Sequence, residues 1–112
     1  MDNNIVDTAY SLRLVGIEES TIKDFKITFP NIEVEYRKKK GSKFILIFEM
    51  NSKLDYSAIN DYFNKYCTYE KLDIFVSITS ETDNYIVDLP EYVIQAIRKL
   101  PAKVCISFIG MY

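Results

Sequence analysis

Histidine is absent from this chain, and so is tryptophan. Without histidine the commonest general base near neutral pH and the commonest metal ligand are both missing, and Ser–His and Cys–His nucleophile pairs go with them. An enzyme built on this sequence would have to work with carboxylates, Lys, Tyr or Arg. Three glycines in 112 residues leave little room for a glycine-rich phosphate loop, and no Walker pattern occurs. The two cysteines, Cys67 and Cys105, have no zinc-ligand spacing. They read as reduced and buried thiols, although spacing alone leaves a bridge open. No apolar run is long enough to span a bilayer. Met1 to Asp7 is polar and acidic, unlike the basic start and apolar run of a signal peptide, so the expected location is cytoplasmic. Charge of one sign is lacking too: 14 basic against 16 acidic residues give a net charge of −2 and a pI of about 5.1. Such a balance does not suit a domain that neutralises phosphate, so neither nucleic acid nor membrane is an expected partner. No cofactor and no metal are expected.

What the chain does have is apolar and aromatic surface. Hydrophobic residues make up 48% and aromatics 14%, from nine Tyr and seven Phe. The length suits one domain with one core. Tyrosine joins an apolar ring to a polar tip, and so serves either the rim of a core or a surface that meets another protein.

Periodicity divides the chain into eight elements. From Thr8 to Val15, Tyr10, Leu12 and Leu14 alternate with Ser11 and Arg13, the pattern of a half-buried strand closed by Gly16. Glu18 to Lys26 reads as a short helix, with Thr21 and Asp24 at capping-box spacing and Phe29-Pro30 ending it. Ile32, Val34 and Tyr36 alternate with Glu33, Glu35 and Arg37 in a second strand. The turn Lys38 to Ser42 leads to Phe44–Phe48, apolar on both faces and therefore expected to lie inside the sheet. A helix starting near Asp55 carries Ile59, Phe63 and either Tyr66 or Cys67 at helical spacing. Leu72, Ile74, Val76 and Ile78 form a fourth strand. Tyr85–Val87 reads as a short edge strand or a strap. Asp88 is expected to cap a last helix whose buried stripe is Val93, Ala96, Ile97 and Leu100, stopped by Pro101. Val104, Ile106 and Phe108 are expected to form the core face of a final strand. The order β-α-β-β-α-β-α-β predicts an α+β domain over residues 1–112, a mostly antiparallel sheet with helices on one face. Its first six elements have the order of a ferredoxin-like unit.

Two charged stretches are candidate sites. The basic run Arg37–Lys40 with Lys43 suits phosphate or an acidic partner, but lysines in a hairpin turn also keep a sheet soluble and guard its edge. The stretch from Tyr66 to Asp88 carries Tyr69, Glu70, Asp73, Glu81, Asp83, Tyr85 and Asp88. Together these seven would make an acidic, tyrosine-rimmed surface fit to dock on a basic enzyme cleft. The carboxylate pairs Glu18/Glu19, Glu33/Glu35 and Glu81/Asp83 lie in no catalytic motif. No catalytic residue is assigned.

Two places resemble a bacterial family of small domains of unknown function with immunity-protein-like members. The first is Tyr10–Gly16, with the acidic residues, Ile22 and Pro30 that follow. The second is Leu89–Tyr112, an amphipathic helix and then an apolar strand. They cover roughly a third of the chain. Pro101-Ala102 stands where that family has Gly, and the family's usual Trp is missing. The resemblance implies an interaction protein without enzymatic activity that neutralises a cognate toxin, such as a nuclease, by occluding its active site. The alternative is a ligand-binding or regulatory α+β module without catalytic activity.

Overall fold

The computed structural model describes residues 6–39, 41–80 and 88–110. Eight elements follow in chain order: β1 (Val6–Ile17), α1 (Glu19–Thr28), β2 (Val34–Lys38), β3 (Phe44–Glu49), α2 (Tyr56–Tyr66), β4 (Lys71–Ser80), α3 (Glu91–Lys99) and β5 (Lys103–Gly110). The strands form one sheet in the order β2-β3-β1-β4-β5, with the helices on one side. β1 pairs antiparallel with both β3 and β4, and β2 antiparallel with β3. Read from β4 to β2, those four strands and their two helices make the split βαβ arrangement of a ferredoxin-like unit. The crossover through α3 then places β5 parallel to β4, on the far edge.

Period-two alternation sorts the side chains by face. Leu12, Leu14, Leu46, Phe48, Ile74 and Val76 point toward the helices and are buried. Against them lie Ile22 and Phe25 of α1, Ile59, Tyr62 and Phe63 of α2, and Val93 and Ala96 of α3. Phe25 is the hub of this layer, with ring centroids 5.6 Å from Phe48, 5.8 Å from Tyr62 and 6.1 Å from Phe63. Each such ring contributes about 1.5–3 kcal/mol by leaving water.

The helix starts differ in how they satisfy their first amides. At α2, the Asp55 carboxylate accepts from the Ala58 N–H at 3.1 Å, the bond of an N-cap. At α1, Thr21 and Asp24 form no capping box: Glu18 holds the N-cap position without a side-chain bond, and Asp24 instead accepts from the Tyr62 hydroxyl. The last helix starts later than predicted. Pro90 is its N-cap, so Asp88 lies before the helix and does not cap it. Gly16 does not close β1. It sits inside the strand at φ +84°, where the register with β3 slips between Val15 and Ile17, the position of a bulge.

The C-terminal element departs furthest from expectation. Val104, Ile106 and Phe108 stand in register with Ile74, Val76 and Ile78 and so face the helix side. They are nevertheless 38%, 68% and 40% exposed, and Ile97 is 36% exposed. The reason is position. Val93 and Ala96 of α3 and Leu100 just after it are buried, while β5 lies at the edge of the sheet. In α2, Tyr66 is exposed and Cys67 half-buried, with Tyr62 taking the buried place beside Phe63. Tyr85–Val87 lies outside the described residues.

Candidate functional site

The helices cover one face of the sheet, and the other carries the residues of opposite phase. On β1 these are Ser11, Arg13 and Val15; on β4, Asp73, Phe75 and Ser77; on β3, Ile45 and Ile47. Register brings Arg13 opposite both Ile47 and Asp73, at the centre of the sheet. The guanidinium lies 3.5 Å from Asp73 Oδ2 and stacks on Phe75, 4.3 Å from the ring centroid. Lys71 Nζ is 3.8 Å from the same carboxylate oxygen.

Asp73 is 1% exposed. A buried carboxylate is tolerated when cations neutralise it, and here two do. Its hydrogen-bonding capacity is not used up, because neither oxygen accepts a hydrogen bond from the described residues, and Arg13 Nε donates none. Native proteins leave few buried polar atoms in that condition. A hollow of about 220 Å³ beside the pair is lined by Arg13, Val15, Lys39, Ile45, Lys71 and Asp73. Its size admits the end of one side chain from a binding partner.

Of the seven residues of the predicted acidic surface, Tyr69, Glu70, Asp73 and Asp88 are among the described residues. Tyr69 is half-buried against Phe63, its ring centroid 6.3 Å away. Glu70 is exposed but ion-paired with Lys39 of the β2–β3 hairpin. That lysine, first by its hydrogen bond, holds the Glu70 carboxyl below its usual range. Lys43 pairs in the same way with Glu18. Two lysines of the hairpin, Lys39 and Lys43, are thus each matched by one carboxylate, Glu70 and Glu18. Asp73 is on the uncovered face rather than on a rim. Asp88 is exposed, two residues ahead of the α3 N-cap. Glu81, Asp83 and Tyr85 lie outside the described residues.

No family model matches this chain, and no curated protein or solved structure does.

Arg13, Phe75, Ile45 and Ile47 were not singled out from sequence. Their signal was the wrong-phase character of two strands: Phe75 is a large ring among polar alternates, and Ile45 and Ile47 make β3 apolar on both faces. Among the described residues no cluster of His, Cys, Asp and Glu has metal-binding geometry, and no helix is long and apolar enough to cross a membrane. A second concavity, a cleft of about 640 Å³, opens between the segment entering β2 and the turn after β3. Glu33, Glu35, Glu49, Asn31 and Asn51 are among its lining residues.

Proposed function

We propose that this chain is an interaction protein that binds a protein partner through the uncovered sheet face. Following the resemblance to immunity-like domains, the partner is a cognate bacterial toxin, neutralised by occlusion of its active site. One observation carries the reading: Phe75, Ile45 and Ile47 share a face with an ion pair whose buried carboxylate has acceptor capacity to spare. A rigid sheet with apolar anchors and a central, under-satisfied polar group is the anatomy of a binding hot spot. A partner's neutral donor, an amide or hydroxyl, would satisfy Asp73 without meeting repulsion from Arg13, Lys39 and Lys71.

The test is co-expression of the tagged chain with the product of the adjacent gene. A stoichiometric complex is expected, and Phe75→Ala should weaken it at least about tenfold, the scale of one lost anchor. A neighbour that is neither toxic alone nor retained would end the toxin reading.

The acidic cleft favours a second reading, a ligand-binding module. Its volume falls within the ordinary range for small-molecule sites, and its carboxylates would select a cationic ligand. A thermal-shift screen with polyamines and basic amino acids tests it, since a true ligand raises Tm by mass action.

A further inference from the structure

Four buried side-chain polar atoms among the described residues lack a hydrogen-bond partner, and three of them belong to one ion pair: Asp73 Oδ1, Asp73 Oδ2 and Arg13 Nε. The fourth, Asn60 Oδ1, is on α2. Native folds leave few atoms in this condition, so three within one pair point to a group supplied from outside the chain. Asp73 is 1% exposed, whereas Arg13 and Lys71 are 32% and 62% exposed. The carboxylate is deep and its two cations are shallow. Lys71 makes the longer contact, 3.8 Å against 3.5 Å, and is the one that yields to an incoming group. Val15 and Ile45 give the adjoining hollow its apolar lining. Lys39, which also lines it, is engaged with Glu70.

The unpaired atoms set the terms for what can bind. Two are acceptors and one is a donor. A carboxylate only accepts, and would leave both Asp73 oxygens unbonded beside a like charge. An ammonium or guanidinium only donates, and would meet Arg13, Lys39 and Lys71 around the same hollow. A hydroxyl brings one hydrogen to two oxygens. A trans peptide points its N–H and its carbonyl in opposite directions, so a strand backbone cannot turn both into one hollow. A side-chain carboxamide carries two N–H donors and a carbonyl acceptor on a single carbon. It matches the count and adds no charge, and its methylene stem suits the Val15 and Ile45 lining.

We propose that this hollow reads a carboxamide, the end of an asparagine or glutamine side chain on the protein partner. The inference rests on the uncovered sheet face being the binding surface, and it narrows what the partner must present there. The amide nitrogen donates to Asp73 and the carbonyl oxygen accepts from Arg13 Nε. The guanidinium keeps its stack on Phe75 throughout. Asp73 and Arg13 are then specificity residues as well as an ion pair. A site that bonds both ends of a polar group rejects analogues lacking one end, because its own buried atoms are left unpaired.

Random peptides displayed on phage, selected on the immobilised full chain, provide the test. Binders that also hold to the double variant with Arg13→Leu and Asp73→Leu are subtracted. The survivors should carry Asn or Gln at one fixed position. In synthetic copies of a selected peptide, changing that residue to alanine, serine or the matching acid should weaken binding about tenfold to a hundredfold. In heteronuclear NMR spectra the Arg13 Nε–Hε signal should shift as the parent peptide is added, and stay in place with the alanine peptide at equal occupancy. A purely structural ion pair would not respond in that way. Peptides with Asp, Glu, Lys or Arg at the fixed position, no preferred residue there, or equal binding by the double variant would each overturn the proposal. Should water alone satisfy the pair, the change to alanine costs nothing and the proposal falls. The two readings fail separately. A toxic neighbour retained equally by the double variant ends the carboxamide inference and leaves the toxin reading standing. Carboxamide-selective peptides with no retained neighbour do the reverse.

Discussion

Leu12 and Arg13 are neighbours on β1, yet they belong to two different kinds of structure. Leu12 lies in a dry layer of Phe25, Phe48 and Phe63, where stability comes from shape and exclusion of water. Arg13 lies on the open face, where an ion pair is held between strands with solvent on one side. On the first face any loss of volume is felt. On the second, what matters is whether both members of the pair are present or neither. A single sheet can therefore keep its fold on one side and remain chemically available on the other.

Several substitutions separate these two regimes. The largest effect belongs to the covered face: Phe63→Ala should cost about 3–5 kcal/mol in urea denaturation, by lost transfer energy and the cavity left behind. On the open face, Arg13→Ala should cost about 2 kcal/mol, less than a fully buried pair because Arg13 is partly exposed. Replacing both members, with Arg13→Leu and Asp73→Leu together, should bring stability back to within about 1 kcal/mol of the parent. A double variant as unstable as Arg13→Ala would show that the pair is structural cement rather than a tolerated charge.

Gly16→Ala probes the bulge that turns β1 between the two faces. A Cβ there would run into the Glu70 carboxylate. That side chain is exposed and moves aside, so the cost is mainly the positive φ, about 1–2 kcal/mol by equilibrium denaturation. Smaller effects should appear in alkali, on the covered side. Burial pushes the Tyr56 hydroxyl from 10.0 up to about 12. Burial, and then the charge of Asp24, push the Cys67 thiol from 9.0 up to about 11. Both are raised above their unfolded values, so their contribution is complete below about pH 9 and lost as pH rises toward 12. The urea midpoint should fall across that window, and less steeply in Cys67→Ser below pH 11. Glu70→Gln should leave the midpoint unchanged, since its pair with Lys39 is solvent-exposed.

Most of the covered face was legible in the sequence, because alternation in β1 and β4 and the stripe in α2 report a local property, which side chains share a side. The exposure of β5 was not legible. Val104, Ile106 and Phe108 show the same alternation as Ile74, Val76 and Ile78, and nothing in the pattern says whether a helix reaches over the edge. Ile97 escaped for the same reason. The Arg13–Asp73 pair needs the register of two strands sixty residues apart in sequence, which no local signal carries. Lys39 and Glu70 were each read as free surface charges. Only the fold shows that each is the other's counter-ion.

The place of β1 has a consequence for how the chain acquires this structure. β1 is the central strand, and the two neighbours that pair with it come much later in sequence: β3, and then β4, which pairs with it from Val6 to Val15. Its hydrogen-bond ladder therefore stays incomplete until most of the sequence is available, and closing it means closing long loops. Folding should be slower than for a helical domain of this size, because the central pairings join distant parts of the chain.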